Sequence, residues 1–514
     1  MKKKIYIESI LLILLGVFSS LSLPPFNYLI INFITFSSFY IFLIRNLLTR
    51  KNKKIFFLYG WLFGFGYFSS NLYWISLSLT FDDNFKFLIP LAIVLVPAFL
   101  ALFYGFVSYL FIIFKPKKNL SSFFLFSLIF GTIEFLRGSI FTGFPWNLIA
   151  YSFSNHIEIL NITSIIGTYG FNLFCISLFT SPSIFIFRDD KKEILVCILF
   201  LIITLSFYVF GSQKLKNFNN IVAQKHDYKI RVISSKISIE RFYNDFEPVS
   251  VIEDLIKISS PQKNERTIFI WPEGILPEIS KNQLQEYKWL FENKFNENHI
   301  LAIGINDIVK QDQEKKYFNS FSIYDHNFGI INSYNKVDLV PFGEFLPFEK
   351  ILSQIGLKNL TNNYQPYSRG EKRNIIEINK FNFSIKLLPL ICYEIIYSGK
   401  IFDDRNFDFI VNISEDGWFG HSIGPQQHFV HSIYRAIESG KYVLRSANNG
   451  IAAIVNPLGI VEKQVDLNQS GYVDFIESKK IRATIFSKYG NKIFGLMILL
   501  YILLIFSFNR IKNE

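Results

Sequence analysis

Long runs of apolar residues fill most of the first two hundred positions of the chain, and one more run lies close to its C-terminus. A helix of about 20 apolar residues is long enough to cross a lipid bilayer. The pattern therefore predicts seven membrane spans in the first part of the chain and an eighth near its end. Their approximate bounds are 5–22, 28–48, 55–79, 87–114, 122–140, 160–187, 194–211 and 493–508.

Residues 212–492 have the mixed composition of a water-soluble domain, in which short apolar stretches alternate with amphipathic ones. Strands that alternate with helices, together with extra antiparallel pairs, are typical of a layered α/β fold. The sequence thus predicts a seven-span membrane domain (1–211), a soluble α/β domain (212–492) and a C-terminal membrane helix with a tail (493–514). The predicted strands are 229–234, 266–270, 300–305, 318–324, 329–335, 387–391, 407–413, 443–447 and 452–455, with helices at 249–258, 282–293 and 426–438.

Positive charge exceeds negative charge, with 53 Lys and Arg residues against 41 Asp and Glu residues. Its position argues against a nucleic-acid partner, because the basic clusters 2–4, 45–54, 115–118 and 188–192 follow every second predicted span. By the positive-inside rule, both termini and these loops are expected in the cytoplasm. The soluble domain is then expected on the outer face of the membrane, and no cleavable signal peptide is expected.

The three cysteines are placed unequally. Cys175 and Cys197 fall inside predicted spans, whereas Cys392 is the only cysteine of the soluble domain. The apolar stretch 387–391 predicts a buried strand that ends at Cys392, and α/β sheets bind ligands at the carboxyl ends of their strands. Taken alone, a free cysteine is more often a small buried core residue than a nucleophile. An unpaired thiol in an oxidising compartment is nevertheless a candidate reactive group.

Two charged residues also follow predicted strands: Glu273 after 267–270 and Lys336 after 331–335. A carboxylate can take the proton of a thiol and pass it to a leaving group. A lysine ammonium stabilises a thiolate and then an oxyanion, and the backbone N–H of Tyr393 is a second candidate oxyanion donor. Each charged residue alone is more simply explained as an exposed surface charge.

Several motifs resemble those of the nitrilase superfamily, whose members carry a Glu-Lys-Cys triad on an αββα sandwich. The chain is most similar to the membrane-embedded branch of that superfamily, the apolipoprotein N-acyltransferase family, and the similarity extends over nearly its whole length. The motifs that carry it are Trp271-Pro272-Glu273, the stretch from Asn335 to Glu344, Leu390-Ile391-Cys392-Tyr393-Glu394, the stretch from Asn412 to Gly420, and 424–450.

The resemblance implies a multi-span α-helical membrane domain joined to an α/β nitrilase-like αββα sandwich. It also implies that Glu273 is the general base, Lys336 the oxyanion-stabilising cation and Cys392 the nucleophile. Four further positions match acidic or aromatic residues near the site of the family: Glu344, Tyr393, Glu394 and Trp418. The departures from the family pattern leave the triad intact and are Gly274, Asp338, Glu415 and Gly417.

The implied reaction transfers an acyl chain from a membrane phospholipid, through a cysteine thioester, to the α-amino group of the N-terminal S-diacylglyceryl-cysteine of an apolipoprotein. The implied location is the bacterial cytoplasmic (inner) membrane. One alternative is a membrane-tethered nitrilase-type amidase that hydrolyses a carbon–nitrogen bond with water as acceptor. A second alternative is a transporter or scaffold whose soluble domain has lost its activity. The number of spans argues against the amidase, and the triad argues against the inactive scaffold.

No metal or nucleotide cofactor is expected. His428 and His431 are three residues apart on a predicted helix, but a zinc site needs three or four ligands, so packing or capping is the better explanation. The sequence has no phosphate-binding or dinucleotide-binding fingerprint.

Two features of the sequence stay open. Glu134 and Arg137 lie one helical turn apart in the fifth span, where ionisable residues are either paired or functional.

The segment 340–365 is rich in Phe, Pro and Leu and is a candidate loop that admits acyl chains. Its apolar residues include Phe342, Phe345, Leu346, Pro347 and Phe348.

Overall fold

The structure, a computed structural model, describes residues 2–47, 50, 52–243, 246–311, 314–347, 349–352, 366–380, 383–400 and 406–510. The chain divides into two compact units. The first unit comprises Met1–Thr80, Lys86–Lys216 and Ala483–Glu514, and the second comprises Phe81–Phe85 and Asn217–Arg482.

The first unit is helical, with a helix at each of the eight predicted spans. Among the described residues, six helical stretches are long and apolar enough to cross a membrane, three of which join α-helices to neighbouring 3₁₀ turns: Ile30–Leu47, Phe85–Phe114, Asn119–Arg137, Thr163–Phe187, Lys191–Asn219 and Lys492–Arg510. The first and third predicted spans form helices that fall outside this set. The α-helices of the unit are Lys2–Ser20, Ile30–Leu47, Ile55–Leu72, Ile89–Phe114, Asn119–Arg137, Ile157–Leu160, Thr163–Thr180, Ile184–Phe187, Ile194–Asn219, Ile485–Tyr489 and Lys492–Arg510.

Glycines let helices Lys2–Ser20 and Ile55–Leu72 approach each other closely. A Cβ atom at Gly16 would lie 2.0 Å from the backbone oxygen of Phe63, and one at Gly66 would lie 2.1 Å from that of Ile13. Small residues at helix contacts are typical of membrane proteins, where close backbone packing replaces the missing hydrophobic driving force. This packing is consistent with a membrane-embedded unit.

The buried pair Glu134–Arg137 is satisfied inside the first unit. The Arg137 Nη2 atom lies 2.5 Å from Glu134 Oε2, and its Nη1 atom donates to the backbone oxygen of Phe144. The guanidinium also lies over the ring of Phe68, 5.2 Å from its centre. The arginine therefore ties the turn that follows its helix back onto that helix. These contacts favour the paired interpretation over a substrate-contacting one.

The second unit is built on a 13-stranded sheet in the part of the chain that the structure describes. The strands are β1 Gln224–Ser235, β2 Thr267–Ile270, β3 Leu276–Ser280, β4 His299–Gln311, β5 Glu314–Asp325, β6 Ile330–Asn335, β7 Ile376–Lys380, β8 Phe383–Ile391, β9 Phe409–Glu415, β10 Tyr442–Asn448, β11 Ala452–Val455, β12 Val461–Val465 and β13 Gly471–Ser478. The main path of the sheet is β6-β5-β4-β2-β1-β10-β9-β8-β7, with β3 beside β4, β11 beside β10, β12 beside β11 and β13 beside β1. The strands from β4 through β2, β1, β10 and β9 to β8 run parallel.

The two halves of this sheet face each other across one apolar core. Val232 on β1, Phe321 on β5 and Val411 on β9 belong to that buried cluster. Successive side chains of a strand point to opposite faces, so the neighbouring Ile233 belongs to a second cluster with Leu255. Leu255 lies on helix Pro248–Ser259, and helix Gly424–Ser439 packs against β10. The order helix, sheet, sheet, helix confirms the predicted αββα sandwich.

Several predicted elements differ in detail. The predicted helix 282–293 is a shorter 3₁₀ helix, Gln283–Leu290. The hairpin of β4 and β5 is longer than predicted, and β3, β7, β12 and β13 were not predicted from the sequence. Within the apolar segment 340–365, Phe342 is exposed and Leu346 is buried. Phe348 and residues 353–365 lie outside the described residues.

Candidate active site

The three residues of the predicted triad follow the carboxyl ends of three strands. Glu273 comes three residues after β2, Lys336 directly after β6 and Cys392 directly after β8. The Lys336 Nζ atom lies 3.2 Å from Glu273 Oε1, and the charges of both residues act on the Cys392 thiol. The sheet therefore brings the three residues together at one edge of the sandwich, as the strand-end pattern predicts.

Glu273 is buried and held by three donors. Its Oε1 atom accepts from Asn319 Nδ2 at 2.7 Å and from Lys336 Nζ, while its Oε2 atom accepts from the backbone N–H of Glu415 at 2.9 Å. Hydrogen bonds from several elements fix the position of a side chain better than a single contact does. The carboxylate is therefore held in one orientation beside the thiol.

Lys336 lies between two carboxylates and is almost fully buried. Its Nζ atom is 3.0 Å from Glu344 Oε1 in addition to its contact with Glu273. Burial by itself lowers the pKa of this lysine, but Glu273, Glu344 and Cys392 outweigh burial and hold the pKa well above its usual value. The ammonium is therefore a permanent positive charge next to Cys392.

Cys392 begins a 3₁₀ turn and adopts a left-handed backbone, with φ of 48°. This conformation costs about 1–2 kcal/mol for a residue that has a Cβ atom. Burial and the negative charge of Glu273 raise the pKa of the thiol, while Lys336 lowers it in part. The resting side chain is therefore a thiol, which loses its proton only when a base accepts it.

Glu394 connects the segment after Lys336 to the turn that contains Cys392. It is fully buried, and its Oε1 atom accepts from the backbone N–H groups of Val337 and Asp338 at 2.9 and 3.2 Å. Its Oε2 atom accepts from the backbone N–H of Ile391 at 2.8 Å. The structure thus gives Glu394 a positioning role within the protein. Further donors to Oε1 are Tyr334 at 2.6 Å and Arg373 at 3.2 Å.

We expect Glu394→Gln to lower the free energy of unfolding of the second unit by about 1–3 kcal/mol, the usual cost of leaving a buried hydrogen-bonding group without its partner. The amide cannot accept from all five donors, whereas Arg373 keeps its ion pair with Asp338 at 2.8 Å. Thermal unfolding of the purified protein would measure the loss. The exposed Glu377 on β7 provides the control, since Glu377→Gln should leave the melting temperature unchanged.

The remaining predicted site residues lie beside the triad. Tyr393 is buried and packs edge-on against Tyr397. The ring of Trp418 contacts Phe242, with 5.0 Å between the ring centres. Phe242 in turn lies against Gly274, because a Cβ atom at Gly274 would be 3.3 Å from its ring. An aromatic cluster therefore borders the turn that carries Glu273. Its other members are Tyr243 and Phe81.

Two departures from the family pattern are coupled in the structure. Glu415 Oε1 accepts from the backbone N–H of Gly417 at 2.8 Å, and a Cβ atom at position 417 would lie 2.7 Å from the same oxygen. Arg241 neutralises the other carboxylate oxygen of Glu415. A glycine at 417 therefore makes room for the larger carboxylate at 415. At Gly274 the backbone is left-handed, with φ of 54°, which glycine adopts without strain.

Sequence reasoning missed Asn319 and a buried charged cluster. Asn319 on β5 donates to both Glu273 and Glu344, and no signal in the sequence distinguishes it, because β5 contains several other polar residues. The cluster joins Asp416, His428 and Arg445. The sequence predicts packing or capping for His428, and the structure shows its ring fully buried and in contact with the backbone of Cys392. No group of three or more His, Cys, Asp or Glu residues that could hold a metal ion occurs within the described ranges.

The fold and the Glu-Lys-Cys arrangement define a nitrilase-type enzyme with a membrane-embedded helical unit. Residues 249–477 match the carbon-nitrogen hydrolase family, and residues 15–179 match the apolipoprotein N-acyltransferase N-terminal domain. The chain belongs to the apolipoprotein N-acyltransferase family. This finding confirms the family predicted from the motifs, and it makes the chain a membrane-bound acyltransferase of the nitrilase superfamily.

Individual relatives show how much of the chain the similarity covers. The apolipoprotein N-acyltransferase of Rhizobium leguminosarum bv. trifolii is 32% identical over an alignment of 486 positions, which covers 91% of this chain and 89% of the relative. That of Rickettsia prowazekii is 32% identical over an alignment of 523 positions, which covers 99% of this chain and 100% of the relative. Among solved structures, Saccharomyces cerevisiae Nit3, a member of branch 10 of the nitrilase superfamily, is 16% identical with a TM-score of 0.35. It covers 49% of this chain and 90% of its own.

Proposed function

We propose that this chain transfers an acyl group from a membrane phospholipid, through a thioester on Cys392, to the free α-amino group of the N-terminal S-diacylglyceryl-cysteine of an apolipoprotein. The observation that carries the proposal is the contact of 3.2 Å between Lys336 and Glu273 beside Cys392. A cation, a proton acceptor and a thiol in this arrangement suit acyl transfer through a covalent intermediate. The names of the relatives indicate the acceptor.

The first half-reaction forms the thioester. Glu273 accepts the proton of the Cys392 thiol as the sulfur attacks the ester carbonyl of the phospholipid. Lys336 and the backbone N–H of Tyr393 stabilise the negative charge that develops on the carbonyl oxygen. The carbon–oxygen bond of the ester then breaks, and Glu273 returns the proton to the departing alkoxide. The products are an acyl-cysteine and a lysophospholipid.

The second half-reaction uses the same groups in reverse. The α-amine of the apolipoprotein attacks the thioester carbonyl, and Glu273 accepts a proton from the attacking nitrogen. The carbon–sulfur bond breaks, and the sulfur leaves as a thiol after Glu273 returns the proton. The product is an amide, and Cys392 is restored. Glu344 contributes by sharing the charge of Lys336, which it contacts at 3.0 Å.

The raised pKa of Cys392 has a consequence for an enzyme on the outer face of a membrane. A thiol that stays protonated at rest reacts slowly with oxidants, because the thiolate is the reactive species. Glu273 accepts the proton as an electrophile approaches the sulfur. The proposed location is the bacterial cytoplasmic membrane, with the second unit outside the cytoplasm.

This topology is testable with reporter fusions. A reporter that is active only in the cytoplasm should give a signal when fused after Lys118 and no signal when fused after Lys281. The reason is that the basic loops 45–54, 115–118 and 188–192 alternate with loops that carry little positive charge. Equal signals at the two positions would contradict the proposed orientation.

A burst assay tests the proposed reaction. With labelled phospholipid alone, the protein should release lysophospholipid up to about one equivalent per enzyme and then stop, because a covalent intermediate waits for its second substrate. Addition of a diacylated lipopeptide with a free α-amine should restart the release. Continuous release without the lipopeptide would show that water is the acceptor, and the hydrolase alternative would then replace the acyltransferase.

A further inference from the structure

The ring of His428 contacts the backbone of the proposed nucleophile. His428 lies on helix Gly424–Ser439 and is fully buried. Its Nε2 atom is 3.3 Å from the backbone oxygen of Cys392. A carbonyl oxygen only accepts hydrogen bonds, so Nε2 carries the proton of this bond. The other ring nitrogen, Nδ1, then accepts from Arg445 Nη2 at 3.1 Å, and Asp416 Oδ1 lies 2.9 Å from the same nitrogen.

Asp416 and Arg445 hold this histidine in place. The Arg445 Nη2 atom lies 2.8 Å from Asp416 Oδ2, and Ser414 donates to Asp416 Oδ1 at 2.7 Å. Arg445 also donates through Nη1 to the side-chain oxygen of Asn412. Ser414 and Asn412 lie on β9 and Arg445 lies on β10, so the cluster rests on two central strands of the sheet. A ring fixed in this way cannot turn easily.

The cluster contacts the backbone at two points, just before Cys392 and at Cys392 itself. Asn412 Nδ2 donates to the backbone oxygen of Leu390 at 2.9 Å, two residues before Cys392. His428 holds the carbonyl of Cys392 itself. The left-handed backbone of Cys392 is unfavourable by itself, so the surrounding contacts must maintain it.

The held carbonyl also sets the direction of the next N–H group. The peptide bond is planar and trans, so the carbonyl of Cys392 and the N–H of Tyr393 point in opposite directions within one rigid plane. Fixing the carbonyl at His428 therefore fixes the N–H of Tyr393. That N–H is the backbone donor assigned above to the oxyanion of the acyl group.

We infer that His428 is a positioning residue, which holds the peptide between Cys392 and Tyr393 so that the Tyr393 N–H is aimed at the acyl oxyanion. The inference rests on the proposed function of Cys392. It assigns no contact between His428 and the substrate, and the imidazole takes no part in proton transfer. The residue acts only through the hydrogen bond from Nε2 to the Cys392 carbonyl.

Two substitutions of His428 separate this role from simple packing. In His428→Gln, the amide nitrogen reaches about as far as Nε2 and can still donate to the Cys392 carbonyl. In His428→Asn, the shorter side chain reaches only the position of Nδ1, so it retains the contact with Asp416 and loses the one with Cys392. The equally buried His431, on the same helix, gives the control His431→Asn.

The measurement is the rate of acyl-Cys392 formation in the full-length protein with labelled phospholipid. We expect His428→Asn to lower the maximal rate by about 10- to 100-fold, somewhat less than the complete loss of an oxyanion donor. The half-saturating phospholipid concentration should change by less than about 2-fold, because the lost interaction is made only in the transition state. His428→Gln should retain most of the rate, and His431→Asn should resemble the unchanged protein.

Alkylation of Cys392 by iodoacetamide distinguishes a misaimed N–H from an unfolded site. Alkylation needs the thiolate and no oxyanion donor, so its rate in His428→Asn should stay within a few-fold of that in the unchanged protein. If His428→Asn does not fold, His428→Phe replaces it, since phenylalanine fills the ring volume without a donor. The same loss of acylation rate is then expected.

Three results would contradict either the inference about His428 or the proposed function. Equal loss in His428→Gln and His428→Asn would overturn the inference, because the donor to Cys392 would not matter. An unchanged acylation rate in His428→Asn would overturn it as well. Absence of acyl-Cys392 in the unchanged protein would instead overturn the proposed function.

Discussion

Cys392→Ala is expected to abolish acyl transfer, with a decrease in rate of about 10⁴-fold or more, as is usual when the nucleophile of covalent catalysis is removed. Alanine has no atom that can carry the acyl group, so neither a thioester nor an amide can form by this route. The protein should remain folded, because alanine has the same Cβ atom as cysteine and tolerates the left-handed backbone equally well. Cys392 is a free cysteine, so no disulfide is lost.

Mass spectrometry after exposure to phospholipid is the direct measurement. The unchanged protein should gain the mass of one acyl group on the peptide that contains Cys392, and the variant should gain none. Cys175→Ala and Cys197→Ala are the matched controls, because both residues are free cysteines of the first unit. Appreciable turnover by Cys392→Ala would show that Cys392 is a buried core residue and not the nucleophile.

Glu273→Gln is expected to slow both half-reactions by about 10²- to 10⁴-fold, the usual contribution of a general base. Glutamine has nearly the same shape but cannot accept the proton of the thiol or of the amine. Its NH₂ group would also face one of the donors that now point at the carboxylate, which are Asn319, Lys336 and the backbone N–H of Glu415. The effect therefore combines a lost base with a disturbed hydrogen-bond network.

The two half-reactions can be followed separately. Release of lysophospholipid in a single turnover reports acylation, and transfer from acylated enzyme to a diacylated lipopeptide reports the second step. Both rates should fall together, since one carboxylate serves both steps. Glu278→Gln, at an exposed position of β3, is the control for a change of charge near the same turn. A normal acylation rate in Glu273→Gln would assign the proton transfer to another group.

These effects rely on a cluster that is charged and also buried. Lys336 is surrounded by Glu273 and Glu344, and Asn319 donates to both carboxylates, at 2.7 and 2.8 Å. Burial strengthens each of these interactions and makes the loss of any one partner costly. The same burial keeps the charge of Lys336 fixed beside the thiol, where the proposed reaction places an oxyanion.

The sequence by itself determined the apolar helices and the positions of the three predicted triad residues along the chain. A run of about 20 apolar residues can be recognised from the sequence alone, because the thickness of the bilayer sets the length of a membrane helix. The strand ends at Glu273 and Cys392 could be predicted because each follows a short apolar stretch, and the one at Lys336 because it follows the second strand of a predicted antiparallel pair. Parallel strands of one sheet place their carboxyl ends at one edge. The predicted fold class therefore implied that the three residues lie close to one another.

Only the tertiary structure decided which groups hold these three residues. The partners of Glu273 come from β5 and from the end of β9, 46 and 142 positions away along the chain. His428 reaches Cys392 from a helix 36 positions away. The alternation of apolar and polar residues records which face of a strand is buried, but not which strand lies beside it. The order of the strands sets those pairings, and for that reason Asn319, His428 and the connecting role of Glu394 became visible only in the folded chain.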